Sequence, residues 1–205
     1  MKRILLLALA LGTIQSVVAQ DDLLDFLGEE EESINYTSAT FKDSRVINVQ
    51  SNETAAKGVL RFVISHRFGR LSDGAYELFG LDNATIRLGL DYGITDRIQV
   101  GIARSSFEKT YEGNLKVKLL RQSSGGKEVP VSLTWYSGMY INGLRWEDPE
   151  RENYFTSRLS YAHQLIVTRK FSKSFSLAFV PSYLHDNLVR TAEMNNDQLA
   201  LGLGG

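Results

Sequence analysis

The stretch Arg87–Ser105, RLGLDYGITDRIQVGIARS, decides the fold. Leu88, Leu90, Tyr92, Ile98, Val100 and Ile102 share one parity, and Arg87, Gly89, Asp91, Gln99, Gly101, Ala103 and Ser105 share the other. Side chains of a strand alternate between its two faces, so the pattern predicts a β-hairpin turning at Gly93 to Arg97. It leaves one question open. The apolar face touches either a protein core or lipid.

The same period of two recurs on both sides of this hairpin. Strands are expected in GVLRFVISHRF (58–68), near Tyr111 to Arg121, in VPVSLTWYSGMYIN (129–142), near Tyr154 to Thr168, in FSLAFVPSYL (175–184), and from Gln198 onward. About eight strands result, with no long helix after the leader. The joins around 93–97 and 170–174 are short and QSSGGKE is intermediate, whereas GRLSDGAYELFGLDN, SFEKT, GLRWEDPEREN and HDNLVRTAEMNND are longer. Antiparallel neighbours put alternate joins at the same end of a sheet. Tight turns therefore collect at one end and long loops at the other, as in outer-membrane barrels.

The first residues, MKRILLLALALGTIQSVVAQ, carry a charged start, an apolar middle and the small-residue site Val17-Val18-Ala19, the three parts of a secretory signal. The expected division is a signal peptide over 1–19, an acidic, disordered periplasmic tail over 20–45, and a β-barrel domain over 46–205. SRVINVQ (44–50) is read as a short strand leading into the body. The chain has no Cys, so core packing, sheet closure or a membrane must hold an exported protein together. The overall balance of 23 basic and 24 acidic residues says little by itself, but without the leader and the acidic run the body is positive by only four, too mild and too scattered for a nucleic-acid footprint. The chain stops at LALGLGG, partway into a strand, and the expectation is that further strands follow.

Alternation alone also fits a soluble sandwich. Three features favour lipid: polar faces of Gly, Ser, Thr, Asn, Gln and Arg, strands of ~9–11 residues, and aromatics near strand ends. Those aromatics are Phe68, Tyr92, Phe155, Phe175 and Tyr183, placed as interfacial girdles would be. The segments HRFGRLSDGAYELFGLDNATIRLGLDYGITDR (66–97), KLLRQ (118–122) and WEDPERENYFTSRLSYAHQL (146–165) resemble an uncharacterised outer-membrane β-barrel family of Gram-negative bacteria, a domain of unknown function. The likeness runs from about Ala39 to the end. It implies an antiparallel up-and-down transmembrane barrel in the outer membrane, and it brings no catalytic residues.

Arg61, Arg67, Arg87, Asp91, Lys116, Lys118 and Arg158 fall on the inward parity and are the candidate lumen-lining residues. A basic lumen would favour small anionic solutes. The bland reading, that these cations pair with acids and brace the interior, is favoured. His66, His163 and His185 lie on the apolar parity of separate strands without metal-ligand spacing. The acids of WEDPEREN do not match a calcium loop and read as solvated. Ser65-His66 are adjacent, so they point to opposite faces, and Ser160 and His163 also differ in parity. No catalytic, cofactor or metal site is expected. The expected function is a pore, transport or structural role, porin-like, with the lipid bilayer and the barrel-assembly machinery as partners. The rivals are a secreted β-sandwich or lipocalin-like binding module, and an outer-membrane enzyme.

Overall fold

A computed structural model of the chain describes residues 33–191 and 193–205. The leader and the first half of the acidic tail, residues 20–32, lie outside the described residues. Among the described residues twelve strands occur: β1 (Ile34–Tyr36), β2 (Arg45–Val46), β3 (Val49–Gln50), β4 (Leu60–Arg67), β5 (Thr85–Gly93), β6 (Ile98–Ser105), β7 (Tyr111–Leu120), β8 (Ser123–Gly125), β9 (Ser132–Ile141), β10 (Leu159–Lys170), β11 (Ser176–Asp186) and β12 (Asp197–Gly204). A small separate unit pairs β1 with β8. The main sheet has eight strands in the order β12-β11-β10-β9-β7-β6-β5-β4. Every pairing in it is antiparallel. The all-β, up-and-down fold expected from the sequence is therefore present, with β4 and β12 as ends that are not paired to each other.

The opening hairpin forms as its parity demands, with Leu90 opposite Ile102 and Asp91 opposite Gly101. Its turn is built on a hydroxyl: Thr95 Oγ1 accepts from the N–H of Arg97 and of Ile98. The turn between β10 and β11 repeats the device, with Ser172 Oγ accepting from the N–H of Ser174 and of Phe175. Ile94-Thr95-Asp96-Arg97-Ile98 and Phe171-Ser172-Lys173-Ser174-Phe175 thus close alike, because a Ser or Thr hydroxyl can stand in for a backbone acceptor. The antiparallel order sends both turns to one end, here the turn side. The links 68–84, 106–110, 142–158 and 187–196 gather at the other, the loop side.

One face of the sheet is apolar and uncovered. Phe62 (59%), Ile102 (64%), Leu199 (86%) and Leu201 (73%) are exposed there, far more apolar surface than a water-soluble face carries. His163 stands on this face between Trp135 and Tyr183, with ring centroids 6.2 and 6.3 Å away and planes nearly parallel. The opposite, inward face buries Asp91, Gln99, Glu112, Lys116, Thr134 and Tyr136. Strand β10 begins at Leu159 rather than near Tyr154, because residues 155–158 form a 3-10 turn. Period-two reading could not see that break, since an i to i+3 turn leaves no two-residue signature.

Candidate functional site

The inward face is occupied by the chain's own residues 37–57. This segment enters from the turn side, where Thr37 N–H donates to Gln122 O at 2.8 Å and Lys170 Nζ donates to Ser38 O and Ala39 O at 2.9 Å. It rises to the β2–β3 hairpin, whose tip is Ile47-Asn48, and descends to Gly58, whose N–H donates to Gly93 O at 2.7 Å. The result is a plug with two legs. Residues 20–45 were expected as a solvated tail, yet within that span Thr40 and Ser44 are buried.

The legs are tied to one another before they are tied to the wall. Glu53 Oε1 accepts from Thr40 N–H at 2.8 Å and Phe41 N–H at 3.3 Å, Ser51 Oγ donates to Asp43 O at 2.6 Å, and Ser51 N–H donates to Ser44 O at 2.9 Å. Gly93 is required where the returning leg passes β5. A β-carbon there would fall 2.1 Å from Ala56 O and 2.6 Å from Ala55 O.

The wall grips the plug chiefly through Lys116. Its ammonium is buried and donates to three plug carbonyls, Ser44 O at 3.1 Å, Ser51 O at 3.1 Å and Glu53 O at 3.2 Å. An ammonium has three donors and no acceptor, so three convergent carbonyls saturate it. Gln99, which stands opposite Lys116 in register, accepts Ala55 N–H at 2.7 Å. Arg61 bridges plug and wall, 3.3 Å from Asp43 and 3.1 Å from Asp91. The apolar part of the contact comes from β10 and β11, where Ile166, Ala178 and Val180 pack with Tyr136 against Phe41 and Val49 of the plug.

Nearer the loop side a second cluster gathers on Glu112. Its carboxylate accepts from Arg87 Nε at 2.6 Å, Tyr136 hydroxyl at 3.2 Å and Asn114 Nδ2 at 3.0 Å, and Arg45 of the plug lies 3.6 Å away. Tyr136 and Tyr140 hydroxyls meet at 3.0 Å. Gly138 between them leaves that space, since a β-carbon there would fall 2.9 and 2.8 Å from the two hydroxyls. Above this cluster opens a cavity of ≈ 1760 Å³ on the loop side, reached by the plug tip at Ile47 and Asn48.

Of the candidate lumen residues, Arg61, Arg87, Asp91 and Lys116 are thus inward and engaged with plug or wall. Lys118 is inward and half-buried, beside a small polar space of ≈ 140 Å³ that it shares with plug residues Asn52 and Glu53. Arg67 is exposed at the loop-side end of β4 and lines the large cavity. Arg158 lies in the turn before β10, where it donates to Asn142 O at 2.8 Å and covers the Trp146 ring at 3.9 Å. Sequence reasoning missed Glu112 and Arg45. Glu112 shares the parity of Lys116 and was legible on that ground, whereas Arg45 acts from a segment with no periodicity.

The WEDPEREN loop is braced by its own backbone: Asn153 Nδ2 donates to Asp148 O and Arg151 O at 2.8 Å. Among the described residues no three His, Asp or Glu side chains gather as a metal site would need. His185 faces Asp197 at 2.6 Å, and Asp197 also accepts the Tyr183 hydroxyl at 2.6 Å.

An apolar outer face, a polar inner face and strands of spanning length agree with one comparison with known proteins. Residues 41–205 match the model of a family described as a membrane-bound beta barrel domain, DUF5777. No curated protein and no solved structure matches. The chain belongs to this family of membrane-bound β-barrel domains, and its outer face meets the lipid bilayer.

Proposed function

We propose that the protein is an exported outer-membrane barrel that passes small solutes through a polar interior, and that residues 37–57 close this interior. One observation carries the reading. The turn-side interior is filled by a segment held through hydrogen bonds, while the loop side leaves a cavity of ≈ 1760 Å³. A segment meant only to fill a core would be held by apolar packing; this one meets the wall largely through carbonyls, amides and ion pairs, contacts that water can replace. The interior cations expected to make a basic lumen are mostly answered by Asp43, Asp91, Glu112 and plug carbonyls. Bracing and closure thus use the same groups.

The reading is non-catalytic. Ser65 is inward and His66 outward on β4, and Ser160 and His163 on β10 differ in the same way, so neither makes a nucleophile–base pair. Insertion by the barrel-assembly machinery follows from the outer-membrane location within this proposal.

The test uses the absence of native Cys. A β-carbon on Gly204 lies 3.4 Å from Val46 Cβ, at the short edge of disulfide reach, so V46C/G204C would fasten the plug to β12. In planar bilayers the full-length variant is expected to show openings when reduced and none when oxidised. Equal conductance in both states refutes the plug as the closing element. No conductance in the reduced state, for this variant and for wild type, refutes transport.

A further inference from the structure

The link 68–84 between β4 and β5 differs from its neighbours on the loop side. The links 106–110, 142–158 and 187–196 all line the cavity, whereas among the described residues 68–84 contributes none to its walls. The link is nonetheless held by its own backbone. Gly69 N–H donates to Gly80 O at 2.7 Å, Phe79 N–H to Gly74 O at 2.8 Å and Gly80 N–H to Glu77 O at 2.9 Å. Gly80, at φ 89°, lets the two ends of the link touch, since a β-carbon there would fall 2.5 Å from the Gly69 carbonyl carbon. This compact loop hides little of its apolar content. Leu71 and Tyr76 are 79% and 92% exposed, and Phe68, Leu78, Phe79 and Leu81 are exposed with them. Leu78 and Phe79 also hold left-handed backbone, at φ 43° and 54°, a conformation that bulky side chains rarely take. Strain that presents two large apolar side chains to water is a loss on both counts, and it persists only where something receives them.

We propose that this loop docks on the membrane, with its apolar side chains in the acyl chains just below the headgroups. The wall supplies the argument. Leu60, Phe62 and Ile64 are exposed on the outward face of β4, and Phe68 continues their parity past the end of the strand at Arg67. Leu88 and Leu90 are exposed in the same way on β5, the strand into which the loop leads. The patch is thus continuous with a surface that meets the bilayer, and it begins where an interfacial aromatic girdle belongs. Charge defines the mode of contact. Asp73, Glu77 and Asp82 outnumber Arg70, so lipid phosphates repel the loop and the attraction is to acyl chains. The loop anchors the first hairpin of the wall at the loop-side interface, whether or not the interior conducts.

The experiment places one bimane-labelled Cys at a time in the full-length protein, which has no native Cys, reconstituted in phosphatidylcholine vesicles. Part of the lipid carries a nitroxide near the headgroup end of its acyl chain, and iodide is the aqueous quencher. A75C is expected to be quenched by the nitroxide as strongly as L88C on the outer wall, and E150C in the link 142–158 by iodide alone. L78N/F79N removes the apolar contact and suits the left-handed backbone, which Asn adopts readily. In that background A75C should lose its nitroxide quenching while L88C keeps it. Tyr76→Ser, outside the strained pair, should weaken A75C quenching in the same direction. Iodide quenching of A75C without any from the nitroxide puts the loop in water and overturns the proposal. Protection from both quenchers overturns it in favour of a protein cover, a second copy or another part of the wall. Nitroxide quenching that survives both variants overturns it as well, and quenching that appears only with phosphatidylglycerol replaces acyl-chain docking by headgroup recognition.

Discussion

Replacing Lys116 by Met removes the ammonium that joins β7 to the plug and keeps the length of the side chain. Three charge-assisted hydrogen bonds are lost, at 3.1, 3.1 and 3.2 Å. Each is worth ~1.5–3 kcal/mol when made, so the gross loss is ~4.5–9 kcal/mol. Against this stands the cost of holding an ammonium away from water, several kcal/mol per ion, which Met does not incur. The net weakening of plug docking is therefore about 1–3 kcal/mol, a ~5–150-fold rise in the undocked population. Hydrogen exchange reads it directly. The amides of Ser51 and Ala55 are bonded only within the plug and to Gln99, so they should exchange faster by that factor. The amides of Val100 and Leu115, facing each other in the sheet, should hold their rates. Lys116→Gln, which keeps two donors, should fall between. Unchanged exchange at Ser51 and Ala55 in a folded Lys116→Met protein would refute the reasoning, because the three carbonyls would then not be what holds the plug.

Two further outcomes follow from contacts already described. Leu90→Arg puts a charge near the middle of the outward face of β5 and should cost about 2–4 kcal/mol in a bilayer, read as a lower urea midpoint in lipid vesicles, whereas Leu90→Phe should be tolerated. An unchanged midpoint for the arginine would mean that Leu90 does not face hydrocarbon. Gly93→Ala drives a β-carbon against Ala55 and Ala56 carbonyls and should cost about 1–3 kcal/mol, seen as faster exchange of the Gly58 amide.

The sheet was legible because one physical fact, the alternation of side chains across a strand, writes itself into the sequence at every second residue. Leu88, Leu90 and Tyr92 face out and Arg87, Gly89 and Asp91 face in, as their spacing requires. Ile166 and Val180 break the polar inner pattern, and the reason is visible only in three dimensions: they receive Phe41 and Val49. The plug itself was opaque. Its carbonyls at Ser44, Ser51 and Glu53 are partners any residue type could supply, so no sequence motif marks them. Lys116 was recognised as inward, but the acid it was expected to meet is absent from its contacts, and backbone oxygens take that place. Arg61 and Arg87 do meet side-chain acids, Asp91 and Glu112, but on strands of the same sheet, not on further strands or folded-in loops as expected.

The β2–β3 hairpin, with Asp43 just before it, reaches both ends of the eight-stranded sheet. Asp43, two residues before it, is 3.3 Å from Arg61 of β4, while β-carbons on Gly202 and Gly204 of β12 would fall 2.4 and 2.7 Å from Val49 and Val46. The hairpin is thus a mandrel on which the wall is wound. Glycine on β12 lets the strand come in to the hairpin's valines, so the bulk at positions 46 and 49 sets the local radius of curvature. Strand number and tilt are usually credited with fixing the girth of such a wall. Here a few internal side chains act as a spacer, and trimming Val46 or Val49 would alter the curvature of strands that those residues never pair with.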